Sequence, residues 1–211
     1  MTLLNKCIAA LGLSLSFFAT AALPALDAVL QKGFPAQTAA LASTTQALYQ
    51  EYESQHSVAS LVFYSYGMLR LANHYKATND FVNASEYAKL GFFWLDEAVD
   101  SHENDMRVRY LRARVDAWLP ADLGRCVVTL NDTDLMQKHA QDFSAAMQTT
   151  IAFMRYRALV SCKETAQAQA LLNEMKMDGS ASALLALGAE EAPEWSMDEI
   201  TQVVMPLMKG E

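Results

Sequence analysis

The 211-residue sequence carries 24 acidic against 16 basic side chains, a formal charge of -8 and a pI near 5.0, which argues against broad charge-driven attachment to nucleic acid or anionic lipid. With 52% hydrophobic residues it is not a disordered chain, and its length allows one compact domain or a short array of stacked helical units. Eight Gly and five Pro are few for a fold of many short strands and tight turns, so the plentiful Ala, Leu and Met predict helices.

The chain opens with a short polar stretch holding Lys6, an apolar run from Ile8 to Ala21, and the small residues Ala19-Thr20-Ala21. That is the plan of a secretory signal peptide over 1–21, cut after Ala21, with a single helical domain over 22–211. Gly12, Ser14 and Ser16 break the run, which is shorter than a spanning helix requires, and Cys7 precedes it, too early for a lipoprotein acceptor. Removal of the leader with Lys6 shifts the net charge to about -9 and leaves Cys126 and Cys162 as a pair. In the bacterial periplasm such a pair favours a disulfide; the alternative is two buried, unpaired thiols.

Downstream, Leu26–Leu30 and Pro35–Gln55 read as helices interrupted at Lys32-Gly33-Phe34-Pro35. Val58–Tyr75 carries a helical stripe, Asn79-Asp80 ends it, and Phe81–Val99 is its hairpin partner. Met106–Trp118 stops near Pro120 and is followed by Asp122–Met136, in which Cys126–Leu130 reads as either buried helix or short strand. Phe143–Ser161 and Thr165–Met175 form a third pair. Gly179–Leu187 adds a small helix, and Ser196–Glu199 is a capping box before Ile200–Met208, whose end Pro206 should fray. Leu69-Arg70-Leu71-Ala72, Tyr110-Leu111-Arg112-Ala113 and Tyr156-Arg157-Ala158-Leu159 repeat similar wording, and the offsets from Arg70 to Arg112 to Arg157 suit a helical repeat array.

Leu71-Ala72-x-x-Tyr75, Phe81-x-x-Ala84, Ala88 and Gly91 together resemble a tetratricopeptide repeat over residues 68–98. The later pairs keep the hairpin length and lose most of the small-residue code. The resemblance implies an all-α fold of antiparallel helix hairpins stacked as a short superhelical array, with first helices lining a concave face that binds proteins or peptides. It also points to Asn73, where some peptide-binding members carry an Asn that holds a ligand backbone. The neighbouring basic position of their carboxylate clamp is Leu69 here, so the clamp is incomplete.

No chemistry-bearing motif competes with that reading. His56, His74, His102 and His139 are dispersed, and His102-Glu103-x-Asp105 reads as a polar loop, so neither metal nor cofactor is expected. There is no nucleophile elbow or phosphate-cradling Gly pattern. Tyr64, Tyr66, Phe92, Phe93 and Trp94, with Met147, Met154, Met175 and Met177, suit core packing better than a ligand box. Arginine is concentrated at 107, 109, 112 and 114 and again at 155 and 157. Arg109, Arg112 and Arg157 form a candidate partner-binding stripe; the alternative pairs Arg112 with Asp116 and the others with nearby acids or helix C-terminal carbonyls. The function expected is a periplasmic, non-enzymatic adaptor engaging a protein or peptide in an envelope complex. An all-helical enzyme acting on cell-wall material and a small-ligand carrier are the alternatives.

Expressed in a bacterial host, the protein should be recovered from the periplasmic fraction with an intact mass lacking residues 1–21. The unprocessed mass in that fraction would overturn the assignment of the leader.

Overall fold

The computed structural model describes residues 24–187 and 192–209, so the expected signal peptide over 1–21 lies outside the described residues. Within them the protein is all-α, with no strand. A short α1 (Ala25–Lys32) ends at Gly33, whose φ of 71° is the left-handed backbone that glycine adopts without penalty. Three helix hairpins follow, after α2 (Thr38–Gln55): α3 (Val58–Ala77) with α4 (Phe81–Asp100), α5 (Met106–Asp116) with α6 (Cys126–Lys138), and α7 (Ala145–Ser161) with α8 (Thr165–Asp178). The chain closes with α9 (Ser182–Leu185), α10 (Met197–Glu199), a π-helical turn over Ile200–Val204, and α11 (Met205–Lys209).

Side-chain oxygens define several of the boundaries. Ser57, Asp80, Asp105 and Ser144 each accept a hydrogen bond from a backbone N–H in the first turn of α3, α4, α5 and α7. The buried Glu51 carboxylate of α2 accepts from the Leu26 N–H and the Ser60 hydroxyl, tying α1 and α3 to α2. Three expectations are refined. Cys126–Leu130 is helical, because Pro120 and a 3-10 turn at Ala121–Leu123 delay the start of α6. Phe143 precedes α7 in extended conformation and turns its ring into the core. Pro206 does not fray the end: the π-helical turn before it loosens the register, and α11 continues to Lys209.

The first helices α3, α5 and α7 make up one layer, in which α5 touches both of the others, and α2, α4, α6 and α8 pack against that layer. One continuous apolar cluster runs through it, from Leu26 and Leu48 past Phe63, Leu95, Tyr110 and Leu111 to Met136, Ile151 and Met154. Gly91 explains the close approach of α4 to α3. A Cβ there would lie 2.9 Å from Leu69 Cγ and 3.1 Å from the Ser65 carbonyl, inside ordinary contact. The C-terminal turns lie across the same layer: α10 touches α7, the π-helical turn touches α5, and α11 touches α3. Of the aromatic residues read as core, Tyr64, Tyr66, Phe92 and Trp94 pack against it while Phe93 stays exposed. Met147, Met154 and Met175 are buried and Met177 is exposed. No helix among the described residues is long and apolar enough to cross a membrane.

Cys126, the first residue of α6, is bridged to Cys162 at the end of α7, with a Cα separation of 5.6 Å. Closing a loop of 36 residues removes unfolded-state entropy equivalent to about 4 kcal/mol. The protein should show no titratable thiol at Cys126 or Cys162 when denatured without reductant. A Cys126→Ser/Cys162→Ser variant should melt on the order of ten degrees lower. Two reactive thiols in the oxidised protein, or an unchanged melting temperature, would contradict this.

Candidate functional site

Helical geometry divides the arginines of α5 between two faces. Arg109, Arg112 and Asp116 fall on the side of α4 and α6, whereas Arg107, Tyr110 and Arg114 follow one another on the opposite stripe. On the first side the charges alternate in an unbroken chain. Arg109 donates to Asp132 Oδ1 at 3.1 Å, and Arg112 grips both Asp132 oxygens at 2.8 Å while reaching Asp96 at 3.2 Å. Arg125, just before α6, donates to both oxygens of Asp96 at 2.7 and 2.9 Å and to Asp116 Oδ2 at 3.0 Å, with its guanidinium over the Phe92 ring.

Burial works against the charge on Asp96, but Arg125 and then Arg112 outweigh it and hold that carboxyl below its usual range. Asp116 differs. Its Oδ1 has no hydrogen-bond partner among the described residues, and burial pushes its carboxyl up to about 7 against the attraction of Arg125.

On the second side α5 meets the C-terminal segment. Arg114 donates to Glu199 Oε1 at 2.9 Å, with only 3% of either side chain exposed, and Tyr110 donates to the same oxygen at 2.9 Å. Glu199 Oε2 accepts the Ser196 N–H at 2.7 Å, and the Ser196 hydroxyl accepts the Glu199 N–H, which completes the predicted capping box. Arg114 also donates to the Pro193 carbonyl at 2.6 Å, and its guanidinium lies 4.7 Å from the ring centres of both Trp118 and Trp195. Trp195 packs on Phe63 of α3, and Ser144 donates to Asp198 at 2.6 Å. Burial, then the neighbouring Glu199, raises the Tyr110 hydroxyl well above the usual phenol range, so it serves as a neutral donor.

Two clefts flank this segment. One of 490 Å³ lies between Asp105, Arg107, His139 and Phe143 on one wall and Gln202 and Val203 on the other. The second, of 320 Å³, separates Leu30 of α1 from Ile200, Met205 and Met208.

The predicted stripe is not assembled. Arg109 and Arg112 do converge, but inward on Asp132; Arg112 is 7% exposed and directs its Nε, Nη1 and Nη2 at carboxylates. Its partners are Asp132 and Asp96 rather than Asp116, because α6 and α4 bring those acids onto its face. Arg157 points elsewhere, donating to the Ala117 carbonyl at the end of α5 and lying over Trp118. Asn73 is exposed on α3, on the stripe of Phe63, Tyr66 and Arg70. Sequence reasoning missed Tyr110, Arg114, Trp195 and Glu199 as a group. The available signal was the capping box with an indole immediately before it. Among the described residues no cluster of three or more His, Cys, Asp or Glu is placed to hold a metal ion.

Comparison with family models, curated proteins and solved structures finds no match to the chain.

Asp116 gives the site a pH signature. Between 3.8 and about 7 the folded protein retains a proton that the unfolded chain has released, so this group's contribution to stability falls as pH rises through that window. Asp96 and Asp105, whose values are lowered, lose their contributions only at more acidic pH. Asp116→Asn should therefore gain stability relative to the parent as pH rises from about 4.5 to 7.5, by up to about 1.4 kcal/mol per pH unit. Parallel urea-denaturation profiles for the two proteins across that range would refute the assignment.

Proposed function

We propose that the protein is an exported, non-enzymatic adaptor of tetratricopeptide-like design that holds a protein or peptide segment in the periplasm. The observation that carries this reading is the layer of α3, α5 and α7, which already holds a helical segment, the chain's own C-terminal turns, by side-chain recognition through Arg114, Tyr110 and Phe63. On the same layer Arg70 and Asn73 of α3 are exposed, the Arg70 guanidinium beside the Phe34 and Tyr66 rings. Export is supported by the leader sequence and by the Cys126–Cys162 bridge, which an oxidising compartment maintains.

The reading is tested with a photo-crosslinking residue at Asn73 or Gln202, both exposed on or beside this layer, and at Gln169, exposed on the distant α8 as control. The protein should capture the same envelope protein from Asn73 and Gln202 and not from Gln169. Equal labelling from all three positions would sink the adaptor reading. Turnover of purified cell-wall material by the protein would replace it with an enzyme.

A further inference from the structure

The C-terminal segment shows what kind of ligand the layer reads. Its contacts fall into three parts. The Trp195 indole is inserted between Phe63 and the Arg114 guanidinium, whose other side rests on Trp118. The Glu199 carboxylate receives Arg114 and Tyr110 on one oxygen. One turn further on, Val203, Val204 and Leu207 are buried in the core.

The first two parts are coupled by local geometry. Glu199 Oε2 is held by the Ser196 N–H, so the capping box places the carboxylate one turn beyond the indole by a contact local to the segment. A pattern of aromatic, Ser or Thr, two residues and Glu, followed by an amphipathic turn, is therefore a preorganised recognition element that another chain can also carry.

The seat is also selective. Arg114 is 4% exposed, so removal of Glu199 leaves a buried cation that only another anion can satisfy. An apolar helix without a carboxylate at that position leaves the Arg114 charge without an anion, with only the Pro193 carbonyl and the Trp118 ring as partners, and one without the ring leaves the space between Phe63 and Arg114 empty.

Although Val203, Val204 and Leu207 belong to the core, open space and exposed surface border the cis segment on its outer side. Clefts of 490 and 320 Å³ lie along its two flanks. Its register is loosened by the π-helical turn at Ile200–Val204. Met197 stands 70% exposed on its outer side.

We propose that the surface of α3 and α5 beneath Trp195–Leu207 is a recognition site for helical protein segments carrying an aromatic side chain four residues before a carboxylate, and that the chain's own C-terminal segment is its resident occupant. This deepens the adaptor reading and rests on it for the existence of a partner in the cell.

The test uses a fluorescent synthetic peptide spanning Pro193–Lys209, the full chain, and a full-chain Trp195→Ala/Glu199→Ala variant that removes both recognition side chains and so weakens the hold of the cis segment on the seat, although Val203, Val204 and Leu207 remain. Fluorescence anisotropy should show saturable binding to the variant and at least tenfold weaker binding to the parent, in which the cis segment competes. Peptides with Glu199→Gln or Trp195→Ala should each bind at least tenfold more weakly. Introducing Arg114→Ala into the variant should abolish the preference for Glu over Gln. Absence of saturable binding to a variant with parental circular dichroism overturns the proposal.

Should the variant not fold, hydrogen exchange of the parent decides. Amides of residues 200–209 exchanging at least a hundredfold faster than those of α5 support an exchangeable occupant, and equal protection overturns it. A parent or variant that dimerises by trading C-terminal segments makes a second copy the occupant and overturns the partner assignment. Peptide binding without any crosslinked envelope protein would count against the adaptor reading alone. Crosslinking without peptide binding would count against this site alone.

Discussion

Charge that has to be buried is the constraint around which the array is organised. α5 lies between α3 and α7, under α4 and α6 and beneath the C-terminal turns, yet it carries four arginines within eight residues. A guanidinium in such a place is tolerable only with a carboxylate and hydrogen bonds in fixed geometry. Each inward-facing arginine therefore dictates a neighbour. Arg112 requires Asp132 of α6 and Asp96 of α4, and Arg114 requires Glu199 from the far end of the chain. The helix that looks most like a surface element by composition is the one that fixes where the other elements sit.

These pairs and the apolar core do different work. Against a well-packed apolar substitute, a buried ion pair contributes little net stability, whereas leaving half of one unpaired costs about 3 to 5 kcal/mol. The pairs thus penalise wrong packing more than they reward the right one, and the continuous core with the Cys126–Cys162 bridge supplies the favourable free energy. Arg125 joins the two systems. It directly precedes Cys126, so the residue that pairs with Asp96 and Asp116 is positioned by a covalent link to α7.

The helices were legible because apolar spacing, Pro, Gly and capping residues are local signals. Ser57, Asp80 and Ser196 cap the elements that begin after them, and Gly91 sits where α4 approaches α3 too closely for a Cβ. The disulfide was legible as a pair by counting. The destinations of the arginines were not. Spacing separates the Arg109 and Arg112 face from the Arg107 and Arg114 face, but whether a face meets solvent or carboxylates depends on elements 16 to 85 residues away. No local signal in the sequence marks Asp132 or Asp96 as partners of Arg112, and the capping box by itself accounts for Glu199. A residue with a sufficient local role conceals a second, tertiary one.

That double role of Glu199 separates the two sides of α5. On the side of α4 and α6 the partners of each pair lie within 29 residues of one another along the chain, so each contact closes a short loop. On the other side, the bonds from Tyr110 and Arg114 to Glu199 span 89 and 85 residues and close the longest loops in the buried charge network. Loop closure is entropically more costly there, and no covalent link restrains the segment. The carboxylate is nonetheless prearranged by its own capping box, so little further ordering is needed once the segment meets α5. An element organised locally but restrained only by noncovalent tertiary contacts has the physical character of a ligand, and α5 provides its receptor face.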